Sequence, residues 1–239
     1  MKKFIMIFAI SLTTILFTLF GLYQLMNARS FQVFGGLVEQ VNTEEKVVAL
    51  TFDDGPTEKT DDILKILADT KVKATFFLNG NMIKKNPEAA KSIVQAGHEL
   101  GNHTYSHQRM IFKSYSFIEN EIERTDEAIR KVGYKGDIHF RPPNGKKLFL
   151  LPFYLNKHDK KTIMWNIEPD SDPEIAGSSD RIFQHVNETI EPGSIILLHV
   201  MYDNEERESL EAVEKIIHTL KDKGYSFQTV SELLESGSD

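Results

Sequence analysis

The chain has 239 residues, enough for one globular domain with a sizeable core, and a second domain is not required. It contains no cysteine, which excludes disulfides and thiolate ligands, so any metal must rest on His, Asp or Glu. The net charge is −7; residues 1–29 hold Lys2, Lys3 and Arg29 without an acid, leaving 25 bases against 35 acids beyond them. Nucleic acid and polyanions are therefore not expected partners, whereas a neutral sugar polymer meets no repulsion.

Lys2 and Lys3 precede an uncharged run from Phe4 to Met26, rich in Ile, Leu and Phe. As a helix the run would extend about 34 Å, enough for a bilayer core of roughly 30 Å. A cleaved signal peptide has a shorter apolar region, about 7 to 15 residues, and no clear small-x-small cleavage site stands before Asn27. Residues 4–26 are expected to span the cell membrane once as an uncleaved anchor. Residues 1–3 then form a cytoplasmic stub, residues 27–45 a linker, and residues 46–235 an extracellular globular domain.

That domain opens on Val47 to Phe52, a β-branched and apolar strand pattern. It runs into Asp53-Asp54 and is stopped by Gly55-Pro56, so two adjacent carboxylates stand at a strand exit. One carboxylate can hold a metal while the other takes a proton. Further strand patterns cover Lys73 to Leu78, with Phe76 and Phe77 buried, and His98 to Gly101. His103-Thr104-Tyr105-Ser106-His107 follows; imidazoles four residues apart on one side of a helical turn can grip one ion. With a carboxylate they make a two-His, one-carboxylate set that suits zinc or another first-row divalent ion.

Beyond it, strand patterns cover Ile138 to Arg141, Lys161 to Ile167, Ser194 to His199 and Tyr225 to Thr229. Helical spacing links Ile118, Ile122, Ile129 and Val132 before Gly133, and Leu210, Val213, Ile217 and Leu220 before Gly224. The alternation predicts a parallel α/β fold. Asp53, Asp54, His103, His107, Arg141, Asp170 and His199 then all fall at or just beyond C-terminal strand ends, which in a parallel barrel converge on one face.

Five ordered segments carry a family resemblance: Thr51-Phe52-Asp53-Asp54-Gly55-Pro56, His103 to His107, Arg141-Pro142-Pro143-Asn144-Gly145, Glu168-Pro169-Asp170, and Leu197-Leu198-His199. Over about residues 46–235 the chain resembles the polysaccharide deacetylases of carbohydrate esterase family 4, which share the NodB homology domain. The resemblance implies a distorted (β/α)7 barrel and a divalent metal held by Asp54, His103 and His107, with Zn2+ expected and Co2+, Ni2+ or Mn2+ compatible. It implies Asp53 as base, His199 as general acid and Arg141 as the partner of the base. Among three acids, Asp170 is favoured to support His199, with Glu168 second and Asp172 third.

Pro143, Asn144 and Leu197 are expected to contact substrate, the backbone N–H of Asn144 as an oxyanion donor. The family usually has Tyr where Asn144 stands. The expected activity is metal-dependent N-deacetylation of an extracellular N-acetylglucosamine polymer by a monomer, peptidoglycan first and chitooligosaccharides second. The alternatives are an O-acetyl xylan esterase and a catalytically silent carbohydrate-binding module. His98 and Asn102 are expected to orient the metal-binding loop. Trp165 is expected in strand core, and His139, His158, His185 and His218 as non-catalytic. The acidic run Asp203 to Glu208 is expected to start a helix.

Overall fold

The computed structural model describes residues 1–201 and 207–237. In chain order its elements are α1 (Lys2–Asn27), β1 (Leu37–Val38), β2 (Val47–Gly55), α2 (Thr60–Thr70), β3 (Thr75–Leu78), α3 (Gly80–Lys85), α4 (Pro87–Gln95) and β4 (Glu99–Asn102). There follow α5 (Tyr115–Lys131), α6 (Leu150–Lys157), β5 (Thr162–Ile163), α7 (Ser179–Thr189), β6 (Ile195–Leu198), α8 (Glu208–Asp222), β7 (Ser226–Gln228) and α9 (Val230–Glu235). Asp203, Glu205 and Glu206 of the acidic run lie outside the described residues, and α8 begins at Glu208.

The strands pair in parallel in the order β4-β3-β2-β6, with β7 beside the first residues of β2. Single-residue bridges carry the ring onward from β4: Asn102 to Phe140, Phe140 to Thr162 on β5, and Ile167 to Ile196 on β6. The expected parallel α/β fold is therefore present, but two expected strands contract. Ile138 to Arg141 survives as the Phe140 bridge, and Lys161 to Ile167 as β5 plus the Ile167 bridge. For residues 161–167 the cause is chemical: the carbonyls of Ile163 and Met164 accept hydrogen bonds from the Arg141 guanidinium.

Strand alternation sorts the core into two layers. Val48, Leu50 and Phe52 of β2 pack outward with Ile63, Leu67, Ile129 and Ile217 from the surrounding helices. Val47 and Ala49 point inward with Phe77, Trp165, Ile195 and Leu197. Trp165 is thus core, as expected, although it lies past the end of β5. Val230 and Leu233 of α9 join the same interior layer.

A Thr229–Glu232 capping box starts α9, and Val230 N donates to Thr75 Oγ1 at 2.8 Å. Ser231 Oγ donates to Glu99 Oε1 at 2.6 Å and lies 3.1 Å from His139 Nε2. His139 also has a carboxylate neighbour, Glu99 at 3.8 Å, brought to it by the fold from 40 positions away. Both residues sit at the start of their staves, away from the strand exits.

His98 also departs from expectation. It precedes β4, where its Nδ1 accepts from Ala74 N at 3.3 Å and its ring lies against Phe76, so it does not orient the loop at 103–107. Asn102 does: its Oδ1 accepts from Thr104 N at 2.8 Å. Burial and then the charge of Lys73 push the His98 pKa down to about 4. The acceptor role at Nδ1 requires the neutral ring, so protonation breaks the bond.

Because the folded pKa is depressed, the contribution is present above pH 6.5 and lost as pH falls toward 4, at most about 3 kcal/mol. Urea denaturation at a series of pH values should show that loss in the parent protein. In His98→Asn, whose Oδ1 can accept the same N–H without titrating, the slope should flatten.

Candidate active site

β2 runs three residues beyond its ladder with β6 and delivers Asp53 inward, 2% exposed. Arg141, fully buried, meets it: NH1 donates to Asp53 Oδ1 and to Thr51 Oγ1, both at 2.8 Å. Nε and NH2 take the carbonyls of Ile163 and Met164 at 3.3 and 3.1 Å, and the guanidinium lies 4.0 Å over the Phe77 ring. A Cβ at Gly101 would strike that ring at 2.4 Å, so only glycine leaves it room. Burial lowers the Arg141 pKa, and Asp53, through charge and hydrogen bond, opposes the shift. Asp53 is left with Oδ2 directed toward His103 Nε2, 3.6 Å away.

The next residue, Asp54, takes φ 64°, which turns its carboxylate toward the His103–His107 loop. His107 Nε2 lies 3.1 Å and His103 Nε2 3.6 Å from Asp54 Oδ1, and ligand atoms from the three residues all fall within 4.8 Å of one another. No helical turn forms at 103–107. Left-handed backbone at Thr104, φ 66°, and His107, φ 56°, swings the imidazoles to a centroid separation of 5.0 Å instead. Side chains hold this loop: His107 N donates to Thr104 Oγ1 at 3.1 Å, and Asn79 Nδ2 donates to His103 O at 2.8 Å.

Two imidazoles and one carboxylate suit a divalent ion, and the donor set is aimed for it. His103 Nδ1 is 2.8 Å from the Arg141 carbonyl, which fixes the proton there and presents Nε2 to the site. Burial and the neighbouring His103 push the His107 pKa down, favouring the neutral ring that a metal requires.

His199 follows β6 and faces the cluster, with Nε2 3.9 Å from Asp54 Oδ2. Its Nδ1 is 3.2 Å from Asp170 Oδ1, and its backbone N–H donates to Asp170 Oδ2 at 2.6 Å. Ser209 Oγ donates to the same Oδ2 at 2.9 Å. Burial works against charge on His199, but Asp170, by hydrogen bond and charge, then Asp53 and Asp54, outweigh it and raise the pKa to about 9. Glu168 instead accepts from Trp165 Nε1 at 2.7 Å and from Ser171, while Asp172 accepts from Glu174 N. Asp170 is the acid that reaches His199.

The three residues expected at the substrate are placed differently. Asn144 is exposed at a turn with φ 55°, and its Oδ1 accepts from Arg109 Nε at 3.2 Å. Pro143 is buried, and Leu197, 1% exposed, packs in the interior layer because strand alternation turns it inward. Beside the triad, Asp54, Thr57, Asn79, Asn81, Met82, His107 and Met201 line an open cavity of about 310 Å³.

Sequence reasoning missed Thr51, Ser209 and Arg29. The guanidinium of Arg29 lies 5.0 Å from the Trp165 ring and 2.9 Å from Glu168 Oε2. A period-2 reading could have turned Thr51 inward with Asp53. Nothing local points to Arg29, which stands 139 positions from Glu168.

Carboxylate, carboxylate-paired imidazole and a metal-compatible triad gathered at the strand exits of a parallel α/β domain constitute the equipment of a hydrolase. Residues 40–163, more than half of the chain, match the polysaccharide deacetylase family model. A peptidoglycan-N-acetylglucosamine deacetylase of Bacillus cereus is 34% identical over 201 residues, covering 84% of this chain and 93% of that protein. The crystal structure of the Bc1960 peptidoglycan N-acetylglucosamine deacetylase superposes with a TM-score of 0.77 at 33% identity, over 84% of this chain and 94% of that one. A CE4 family pseudoenzyme from Bacillus anthracis superposes with a TM-score of 0.76 at 30% identity, over 87% of this chain and 72% of that one. The chain belongs to the polysaccharide deacetylases of carbohydrate esterase family 4.

Two outcomes test the geometry. His103→Ala removes the nitrogen that Arg141 aims, and zinc affinity measured by chelator competition should fall at least about tenfold; unchanged affinity would remove the triad. Arg141→Met strands the Asp53 charge in the core and should cost about 3 to 5 kcal/mol in urea denaturation.

Proposed function

We propose that this chain is an N-deacetylase of an extracellular N-acetylglucosamine-containing polysaccharide, peptidoglycan first, anchored by residues 4–26 with its catalytic domain outside the cell. The observation that carries the reading is that two proton-handling groups adjoin the Asp54–His103–His107 triad. Asp53, held by Arg141, has Oδ2 3.6 Å from His103 Nε2. His199, held by Asp170, has Nε2 3.9 Å from Asp54 Oδ2. The peptidoglycan deacetylase among the relatives supports the substrate choice.

Hydrolysis of an acetamide needs an activated water, a stabilised oxyanion and a proton for the departing amine. A divalent ion on the triad, zinc by our reading, would polarise the acetyl oxygen and acidify water. Asp53 takes the water's proton at Oδ2, since Oδ1 is committed to Arg141. The four fixed bonds of Arg141 keep that carboxylate aimed. His199 delivers a proton from Nε2 to the amine, while Asp170 holds Nδ1 and with it the tautomer. The backbone N–H of Asn144 is our candidate second donor to the oxyanion, and Pro143 stiffens the turn that carries it. Leu197 acts from below, as packing under the reacting group.

Acetate release from peptidoglycan, chitooligosaccharides and acetylxylan, with the full chain loaded with defined metals, ranks the substrates. Asp53→Asn should retain metal while deacetylation falls by roughly 10² to 10⁴. His199→Ala should slow amides far more than esters with good leaving groups, because only the amine needs protonation to depart. Near-normal turnover in Asp53→Asn, or equal losses on both substrate types in His199→Ala, would overturn the assigned roles. Activity confined to acetylxylan would convert the reading to an esterase, and a metal-loaded chain that releases no acetate while binding glycan would make it a binding module.

A further inference from the structure

The catalytic domain grips the exit of α1. Lys147 N donates to Met26 O at 3.4 Å, Lys147 Nζ donates to Ala28 O, and Lys146 Nζ donates to Asn27 Oδ1. One residue on, Arg29 pairs with Glu168. The 26 residues of α1, none of them buried, extend about 39 Å. A hydrocarbon core is about 30 Å thick, so a spanning α1 brings Asn27 to headgroup depth on the outer side. Lys146 and Lys147 are then held at that depth with it.

Immediately beyond these lysines the surface is apolar. Phe149, Leu150 and Phe153, at the start of α6, are 42%, 45% and 44% exposed. Their spacing of one and four residues puts them on one side of the helix. From the linker, Phe34, 39% exposed, packs edge-on against Phe153 with ring centroids 5.6 Å apart. Phe31 and Val33 flank it and are also exposed. Single exposed apolar residues are ordinary, but two separated segments joining four large ones in a patch is not. Cations stand near the patch: Lys146, whose pKa burial and then the charges of Arg109 and Arg29 lower, is three residues before Phe149, and Lys157 closes α6. Aromatic side chains with cations nearby suit the boundary between acyl chains and lipid phosphates.

We propose that the face formed by Phe34, Phe149, Leu150 and Phe153 rests on the outer surface of the bilayer that α1 crosses. This inference rests on the membrane-anchored reading. Its occupant is lipid, because the patch is continuous with the end of the membrane helix and bordered by cations. Its consequence is positional. Arg29, two residues beyond the helix, touches Glu168, and Asp170 lies only two residues further along the chain, so the active-site rim is tied within a short tether of the membrane. Glycan at the membrane face, rather than deep in a wall, is what this geometry presents to Asp53 and His199.

The absence of cysteine allows a direct test with the full chain in phosphatidylcholine–phosphatidylglycerol vesicles. Single nitroxide labels are placed at Phe149→Cys, Phe153→Cys and, as a control on exposed α7, Glu188→Cys. Labels at 149 and 153 should lose accessibility to an aqueous nickel reagent and gain accessibility to dissolved oxygen, while the label at 188 keeps its aqueous profile. Retention of the chain through alkaline carbonate, with 149 and 153 as nickel-accessible as 188, overturns the docking and leaves the anchor standing. Release by carbonate overturns the anchored reading and the docking with it. Dipolar broadening between labels at 153 that vanishes on mixing with unlabelled chain assigns the face to a second copy and overturns the lipid occupant.

Discussion

A guanidinium sealed inside the α/β domain organises everything that matters for chemistry. Arg141 has no exposed surface, and burying such a charge is tolerable only where its donors are met. Here they are met by the Asp53 carboxylate, the Thr51 hydroxyl and two carbonyls, with the Phe77 ring beneath. The same residue acts through its backbone. Its carbonyl holds His103 Nδ1, and its N–H donates to Asn102 O at 3.0 Å. One residue therefore aims both the acid expected to move a proton and an imidazole expected to hold the metal, so the two cannot drift apart independently.

The loops above that core are built from conformations that side chains rarely adopt. Asp54, Thr104, His107 and Asn144 all have φ between 55° and 66°. Each such residue costs on the order of 1 to 3 kcal/mol and persists only where its surroundings over-determine it. For the histidine loop the surroundings are explicit. Asn102 and Thr104 each hold a backbone N–H within the loop, and Gly80 N and Asn81 N donate to Thr104 O and Tyr105 O at 3.0 Å. The N-terminus of α3 thus braces the turn that a regular helix could not make. A helical turn would set the imidazoles by its own pitch; this loop sets them by the position of Asp54.

Much of this was legible in sequence, for a physical reason. β2, β3 and β6 are buried along nearly their whole length, and residues of that kind announce themselves as short apolar, β-branched or aromatic runs. Acids and imidazoles at the ends of such runs have no reason of packing to be there, so Asp53, Asp54, His103, His107 and His199 stood out. What stayed hidden depends on hydrogen-bond partners remote in sequence. Residues 161–167 look like a strand because they are apolar, yet the carbonyls of Ile163 and Met164 serve Arg141. His98 looks like a neighbour of the metal loop because it is close in sequence, yet it binds Ala74 at the start of β3. Glu168, Asp170 and Asp172 are all carboxylic side chains spaced two apart, and the short helical turn at Pro169–Ser171 carries the one that faces His199.

Fold alone does not carry activity. The chain superposes comparably on a peptidoglycan deacetylase and on a pseudoenzyme of the same family, so the distinction has to lie in a few side chains. In this chain those side chains form a closed circuit of constraints. Thr51 and Arg141 hold Asp53, Arg141 holds His103, Asn102 and Thr104 hold the loop of His107, and Ser209 and Asp170 hold His199. A domain kept only to bind sugar gains nothing from a buried ion pair behind a carboxylate, or from a hydroxyl that positions the acid behind a histidine. Such supports carry desolvation and ordering costs, and they are intelligible where reacting groups must be held to within a fraction of an ångström.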